Sequence, residues 1–181
     1  FKFLFACNND DIVELNAILQ NSDNLIEERK REYEEFLEEN KFQSEIPFLN
    51  ELYRIAILNL KNCIVDFNGK RTLIAGYPWF TQVWGRDALL SIIFSPFDQE
   101  ACKNTLLLLG KSQNEEGKIP NFIFLEAIDY NSSDATPLFP IALESYAKRF
   151  SDISLIFSLK ENLYKIFEFY KKNKNEYGFI K

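Results

Sequence analysis

The sequence predicts an all-α protein built from antiparallel helical hairpins. Apolar residues recur at the helical spacing of three and four positions in most segments, and loops of alternating length separate these segments. Strand-like patterns are scarce after the first six residues. The chain has 181 residues, of which 46% are hydrophobic, and this is enough to bury one substantial core. These patterns do not distinguish a barrel of helices from a bundle or a solenoid.

The N-terminal part, residues 1–44, is predicted to form a short strand followed by charged linker helices. Residues 1–6 are mostly apolar and aromatic, which is typical of a strand. Asn9 or Asp10 is a suitable cap for a helix with one apolar face, formed by Ile12, Leu15, Ile18 and Leu19. The stretch 27–40 is dense in glutamate and has a narrow apolar stripe, which indicates a solvated linker helix.

From residue 45 onward the pattern is that of a globular helical domain. Its predicted helices cover residues 49–64, 88–94, 99–112, 137–150 and 152–173. Turns or irregular segments are predicted at 68–69, 117–121 and 122–130. Thr136 followed by Pro137 matches a helix cap with proline at the first helical position.

Charge and cysteine content exclude several function classes. The net charge of −6, without a long basic stripe, argues against nucleic acid as a partner. No apolar run approaches the roughly 20 residues of a membrane-spanning helix, so no membrane partner is expected. Histidine is absent and three cysteines lie far apart, which excludes the usual zinc sites and a disulfide framework. We therefore expect a cytoplasmic protein without a metal or other cofactor.

The most informative stretch is 75–87, Ala-Gly-Tyr-Pro-Trp-Phe-Thr-Gln-Val-Trp-Gly-Arg-Asp, which contains both tryptophans of the chain. Gly76 and Pro78 disfavour regular structure. The aromatic rings offer flat apolar faces, and Arg86 and Asp87 offer donors and acceptors just before an apolar run. This combination predicts a loop that ends at a helix start and presents polar groups to a small polar ligand.

Three segments carry a resemblance to one enzyme family. The stretch 75–87 resembles the signature of the amylo-α-1,6-glucosidase domain of glycogen debranching enzymes. Residues 117–121, Gly-Lys-Ile-Pro-Asn, are similar to that family's Gly-x-Ile-Pro-Asn turn, and residues 130–136 are similar to its Tyr-Asn-x-x-Asp-Ala segment. The resemblance implies that residues 45–181 form the N-terminal part of an (α/α)6 barrel, with less than half of its helices.

The resemblance implies a catalytic role for Asp134. Glycoside hydrolysis uses one carboxyl group to protonate the leaving oxygen and a second to activate water or attack the sugar. In this family Asp134 would be the general acid of an inverting hydrolysis of α-1,6-linked glucose at the branch points of an α-glucan, either glycogen or limit dextrin. From the residues alone, Asp134 is better explained as an N-cap or capping-region aspartate of the following helix, and only the resemblance favours catalysis.

The resemblance also implies a set of sugar-binding residues. Arg86 and Asp87 would hydrogen-bond the hydroxyls of the terminal glucose; the alternative is that Asp87 caps its helix and Arg86 pairs with a neighbouring carboxylate. Trp79 and Trp84 would stack on the sugar, with burial in the core as the alternative. The remaining residues expected at the same mouth are Asn121, Tyr130 and Asn131, of which Asn121 has a plain turn role as its alternative.

The second carboxyl group is expected outside this chain. In the family the general base lies near the end of the barrel, far C-terminal to the segments quoted above. We therefore expect the chain to be inactive alone and to need a complementary C-terminal polypeptide that completes the barrel. Two other functions remain open at this point: a different (α/α)6 α-glucosidase, such as a trehalase-like enzyme, and a non-catalytic glycan-binding helical module.

Overall fold

The computed structural model describes residues 12–95, 97–125 and 127–178, and this part of the chain is mostly helical. Its helices are α1 (Ile12–Gln20), α2 (Ser22–Glu39), α3 (Pro47–Asn62), α4 (Gly85–Phe94), α5 (Gln99–Lys111), α6 (Ala135–Phe150), α7 (Ser154–Ser158) and α8 (Lys160–Asn173). Its strands are β1 (Ile64–Phe67), β2 (Lys70–Leu73), β3 (Val83–Trp84), β4 (Phe122–Phe124) and β5 (Ala127–Asp129). The strand predicted at 1–6 and the cap predicted at Asn9 or Asp10 lie outside the described residues.

The chain divides into two compact units between Asn59 and Leu60, and each is described by itself. In the first unit, no residue of α2 is buried along its fully described length, as expected of a solvated linker helix. Its ion pairs are local, such as Lys30 with Glu27 at 2.7 Å, and exposed pairs of this kind contribute little to stability. The boundary predicted between residues 44 and 45 stays a prediction.

The second unit contains a β-hairpin that the sequence pattern did not predict. Helix α3 ends at Asn62, so the helix predicted through Ile64 is two residues too long, and Ile64 instead pairs with Leu73 of β2. The turn predicted at Asn68-Gly69 is confirmed, with φ of 55° and 74° in the left-handed region that a tight hairpin turn requires. Strands this short show too little alternation to be recognised in a sequence.

A second, three-stranded sheet has the order β3-β4-β5 with antiparallel pairing throughout. Val83 of β3 pairs with Ile123 of β4, and Ile123 also pairs with Ile128 of β5. The prediction of an all-α chain is therefore correct only in its coarse form, mostly helical. This sheet matters for function because it joins the segment 75–87 to the segment 122–130.

The core of the second unit lies between α4, α5 and α6. Its largest fully buried side chains include Leu89, Ile92, Leu106, Leu109, Phe139 and Tyr146. Asp98 caps α5 by accepting a hydrogen bond from the Ala101 amide at 2.8 Å. Thr105 Oγ1 accepts a hydrogen bond from the Leu73 amide at 3.0 Å and so ties α5 to β2. Burial raises the pKa of Cys102 to about 12, so this thiol stays neutral and unreactive.

Two helix boundaries differ from the predicted ones. Helix α6 begins at Ala135, and Thr136 is not its cap, because Thr136 Oγ1 accepts a hydrogen bond from the Ile119 amide at 3.0 Å instead. The single helix predicted over 152–173 is divided into α7 and α8 at Leu159, which is only 4% exposed. The break lets Leu159 pack against Gly110 of α5, where an added Cβ would lie 2.7 Å from Leu159 Cδ2.

A polar cluster around Asp152 fixes the turn between α6 and α7. Asp152 Oδ2 accepts hydrogen bonds from Lys103 Nζ and from the Tyr146 hydroxyl, both at 2.9 Å, and Oδ1 accepts one from Ser154. The Asp152 side chain is only 14% exposed. The hydrogen bonds from Ser154, Lys103 and Tyr146 favour the carboxylate and hold the pKa of Asp152 well below its usual value.

The Asp152 cluster predicts a specific loss of stability in acid. Because the pKa of Asp152 is lower in the folded than in the unfolded chain, the carboxylate stabilises the fold above the unfolded pKa, about 4. This contribution is lost as the pH falls below that value. We expect Asp152→Asn to be less stable than the wild type near neutral pH, with a difference that shrinks in acid; urea unfolding at several pH values measures it. A difference that stays constant across this pH range would contradict the assignment.

Candidate active site

Main-chain contacts bring the segments 75–87 and 117–121 together. The Gly85 amide donates to the Asn121 carbonyl at 2.8 Å, and the Asn121 amide donates to the Asp129 carbonyl at 2.6 Å. A Cβ on Gly85 would lie 2.2 Å from the Pro120 carbonyl oxygen and 3.0 Å from the Cβ of Ala135. Only glycine fits at this crossing, so the Trp-Gly-Arg-Asp sequence owes its glycine to the close approach of two backbones.

The same crossing brings Arg86 to Asp134. Arg86 is in the first turn of α4, Asp134 immediately precedes α6, and the guanidinium Nη1 lies 3.3 Å from Asp134 Oδ2. The two residues are 48 positions apart in the chain. Their side chains are 60% and 37% exposed, so the pair is accessible to a ligand from solution. Arg86 therefore pairs with a carboxylate, as its alternative role predicted. Its partner, Asp134, is the carboxylate that is expected to be catalytic.

Asp134 occupies an N-cap position without acting as a cap. Its backbone precedes α6, but its side chain makes no capping hydrogen bond. Oδ1 is buried and has no hydrogen-bond partner within the part of the chain that the structure describes. A buried carboxylate oxygen without a partner costs free energy, which is typical of a group kept for a function rather than for stability. Asp134 therefore has the N-cap position that its alternative predicted, but not the capping hydrogen bond.

Asp87 is not the N-cap of α4, which was its alternative role. Helix α4 begins at Gly85 with Trp84 at the N-cap position, so Asp87 lies inside the first turn. Its carbonyl accepts a hydrogen bond from Ser91 Oγ at 2.9 Å, whereas its half-buried carboxylate has no ion-pair or hydrogen-bond partner among the described residues. A carboxylate in the first turn of a helix is favourably placed for the helix dipole.

The two tryptophans have different surroundings. Trp84 is half-buried and packs against Phe122, with ring centroids 5.4 Å apart, and against Phe80 in a T-shaped arrangement with centroids 6.1 Å apart. Its indole nitrogen donates to Gln82 Oε1 at 3.2 Å, which fixes the ring. Trp79 is 79% exposed at the tip of the loop 76–80. Trp84 is thus part of an aromatic cluster, while Trp79 offers an exposed ring; neither lies in the buried core.

Tyr130 and Asn131 precede Asp134 in the chain by four and three positions. The Tyr130 hydroxyl donates to the Ser112 carbonyl at 2.6 Å, and burial raises the pKa of Tyr130, so it remains a protonated donor. Asn131 is exposed, and its backbone amide donates to Asp129 Oδ1 at 3.1 Å. Both residues line a groove of about 860 Å³ that adjoins the segment 130–137.

The sequence analysis did not identify several residues that support the candidate site. Gln82 orients Trp84, Thr136 holds the turn before Asn121 through the Ile119 amide, and Ser132 and Ser133 line the groove. Short polar residues next to a motif are the only sequence signal they give, and turns contain the same residues for local reasons. The contacts of Gln82 and Thr136 therefore become visible only in three dimensions.

The described residues contain neither a candidate membrane-spanning helix nor a candidate metal-binding cluster. None of their helices combines the length and the apolar character needed to cross a membrane. They also contain no group of three or more cysteine, aspartate or glutamate side chains arranged to hold a metal ion.

Comparison with known proteins identifies the family. The family model described as amylo-alpha-1,6-glucosidase matches residues 56–179, which is more than half of the chain and includes all three segments of the candidate site. No curated protein and no solved structure matches this chain. The chain belongs to the amylo-alpha-1,6-glucosidase family.

Proposed function

We propose that this chain supplies the general acid and part of the glucose site of a glycogen debranching glucosidase. The observation that carries the proposal is the pairing of Arg86 Nη1 with Asp134 Oδ2 at 3.3 Å, with the second oxygen of Asp134 buried and unpaired among the described residues. The family match supports an α-glucan as substrate. The finer points, namely the α-1,6 linkage, inversion and the (α/α)6 barrel, belong to the same proposal.

In this mechanism Asp134 protonates the oxygen that leaves with the main glucan chain. The bond between the anomeric carbon and this oxygen breaks while a water molecule adds to the opposite face of the anomeric carbon. A second carboxylate takes a proton from that water, so the reaction consumes one water and inverts the anomeric carbon. The proton lost by Asp134 is replaced from solvent at the end of the cycle.

Arg86 and Asp87 would hold the terminal glucose during this step. The guanidinium of Arg86, which donates a hydrogen bond to Asp134 Oδ2, has further N–H groups that can donate to sugar hydroxyls. We infer that Arg86 turns from Asp134 to the hydroxyls of the sugar on binding, which its 60% exposure permits. Asp87 would accept hydrogen bonds from other hydroxyls, and the ring of Trp84 or Trp79 would cover the apolar face of the sugar.

We further propose that a complementary C-terminal polypeptide carries the second carboxylate. Large apolar side chains on the helices of the second unit are unusually exposed, including Phe94 at 80%, Phe157 at 66% and Phe167 at 63%. Exposed apolar surface of this kind is typical of an interaction face. A further set of barrel helices packed on these side chains would bury them and close the active site.

A reconstitution assay tests whether the two polypeptides together form the active site. We expect neither this chain nor the polypeptide with the remaining barrel helices to release glucose from phosphorylase-limit dextrin alone. Mixing or co-expressing the two should produce release, and Phe157→Glu should weaken assembly, because it buries a charge at the interface. Release of glucose by this chain alone would contradict the proposal and would mean that both carboxylates lie within it.

A further inference from the structure

Thr136 attaches the start of α6 to the turn at 117–121. Its Oγ1 accepts a hydrogen bond from the Ile119 amide at 3.0 Å, across 17 positions of the chain. Thr136 is 2% exposed and Ile119 is 0% exposed, so water cannot replace the hydroxyl as the acceptor for this buried amide. Thr136 follows Asp134 by two positions, and the bond therefore also fixes the backbone that carries the proposed general acid.

The turn at 117–121 is itself held by α8. Gly117 has φ of 100°, in the left-handed region that favours glycine, and an added Cβ there would lie 2.4 Å from the Lys165 carbonyl oxygen. Gln113 Nε2 donates to the Gly117 carbonyl at 3.0 Å and to the Asn162 carbonyl at 3.1 Å, and so joins the turn to α8. These contacts give the turn a defined position against which the start of α6 is placed.

The same turn also supports the half of the site that binds the sugar in the proposed mechanism. The Gly85 amide donates to the Asn121 carbonyl at 2.8 Å, and Arg86 follows in the first turn of α4. Each of the two helix starts is thus attached to the turn by a hydrogen bond of its own. The position of Asp134 relative to Arg86 depends on both bonds.

We propose that Thr136 is a positioning residue that places the carboxyl group of Asp134 at the leaving oxygen of the bound sugar. The inference rests on the proposed function, since it concerns the same general acid. Thr136 acts through the backbone of α6, because its hydroxyl is engaged with the Ile119 amide. Without this bond the start of α6 could move from the turn while the start of α4 stays attached, and a displacement of about 1 Å can cost about 10²-fold in rate.

Thr105 offers a matched control within the same unit. Its Oγ1 accepts a hydrogen bond from the Leu73 amide at 3.0 Å, and Thr105 is 0% exposed. This bond joins α5 to β2, and neither of these elements carries a residue of the candidate site. Thr136→Val and Thr105→Val both keep the branched shape of the side chain and leave a buried amide without its acceptor. Both variants should therefore lower the midpoint of urea unfolding, whereas only Thr136→Val should change the site.

NMR of the chain tests the placement without any need for activity. The guanidinium nitrogen resonances of Arg86 and the carboxyl carbon resonance of Asp134 report on their contact at 3.3 Å. We expect these resonances to move in Thr136→Val and to keep their wild-type positions in Thr105→Val. They should also keep them in Thr136→Ser, whose hydroxyl can still accept from the Ile119 amide. Unmoved resonances in Thr136→Val, or equal movements in Thr105→Val, would overturn the inference.

Kinetics of the reconstituted enzyme give a second readout. Because residues of α4 hold the glucose while Thr136 places the acid, Thr136→Val should lower kcat for limit dextrin by about 10- to 10²-fold. KM should change by less than about threefold, and Thr136→Ser should restore kcat to within about twofold of the wild type. Thr105→Val should leave both constants unchanged. A raised KM with unchanged kcat, or a loss of kcat that Thr136→Ser does not restore, would contradict a positioning role.

A further variant keeps the test decisive if Thr136→Val does not fold. Thr136→Cys retains a side-chain acceptor, but its sulfur accepts hydrogen bonds more weakly than a hydroxyl oxygen does. The resonances of Arg86 and Asp134 should then move in the same direction as loss of the bond requires, and kcat should fall between those of Thr136→Ser and an inactive enzyme. Wild-type resonances and kcat in Thr136→Cys, together with a lowered urea midpoint, would overturn the inference.

Failure of this inference and failure of the proposed function give different results. Inactivity of Asp134→Asn, together with unmoved resonances in Thr136→Val, would refute positioning by Thr136 and leave the catalytic role of Asp134 standing. Full activity of Asp134→Asn would refute the catalytic role. If the resonances nevertheless moved in Thr136→Val, Thr136 would place a structural ion pair and not a general acid.

Discussion

Asp134→Asn is expected to lower kcat/KM for limit dextrin by about 10²- to 10⁴-fold in the reconstituted enzyme, the usual contribution of a general acid. Asparagine keeps the shape of the side chain but has no carboxyl proton to give. The stability of the chain should change by less than about 1 kcal/mol, because the exposed ion pair with Arg86 contributes little and the side chain caps no helix. Coupled glucose assays and urea unfolding measure the two quantities.

The matched control for this variant is Glu144→Gln. Glu144 is also a carboxylate and lies on α6, but it is 61% exposed and pairs with Lys148 at 2.7 Å. We expect its glucose release and its stability to equal those of the wild type. A loss of stability in Asp134→Asn comparable to the loss of activity would mean that Asp134 has a structural rather than a catalytic role.

Gly85→Ala is expected to have the largest effect on the fold, a loss of about 3 kcal/mol in the free energy of unfolding. The new methyl carbon would lie 2.2 Å from the Pro120 carbonyl oxygen, and this backbone atom can move only if β3 separates from the turn before β4. The separation would also break the 2.8 Å hydrogen bond from Gly85 to Asn121 and move Arg86 away from Asp134. Activity should therefore fall together with stability.

Gly110→Ala provides the comparison for this backbone clash. Here an added Cβ would meet the end of the flexible Leu159 side chain at 2.7 Å, which can change its rotamer. Alanine also stabilises a helix by about 1 kcal/mol relative to glycine, so the net change should be within about 1 kcal/mol. Urea unfolding of the two variants tests the account, and equal losses of stability in both would contradict the special role of the crossing at Gly85.

The helices were predictable because their apolar residues repeat over several turns. Helix α5, expected over 99–112 and observed at Gln99–Lys111, is an example. The strands were not predictable from the sequence, because β3 has only two residues and β4 only three. Their pairing also depends on partners that are distant in sequence. The break at Leu159 likewise follows from packing against α5, which no local pattern records.

The candidate site was predictable as residue types and not as an arrangement. Arg86, Asp87 and Asp134 are recognisable from motifs, but the contact between Arg86 and Asp134 spans 48 positions and depends on the backbone crossing at Gly85. Tyr130 was expected at the sugar, whereas its hydroxyl is engaged with the Ser112 carbonyl. Its role as a binding residue stays a prediction, now assigned to the ring rather than to the hydroxyl.

The most direct test of Asp134 as general acid compares two substrates in the reconstituted enzyme. Limit dextrin needs a proton on its leaving oxygen, whereas α-glucosyl fluoride releases fluoride, a leaving group that departs without full protonation. The account predicts that Asp134→Asn loses limit-dextrin hydrolysis but keeps α-glucosyl fluoride hydrolysis within about tenfold of the wild type. Equal loss on both substrates, or unchanged hydrolysis of limit dextrin, would contradict it.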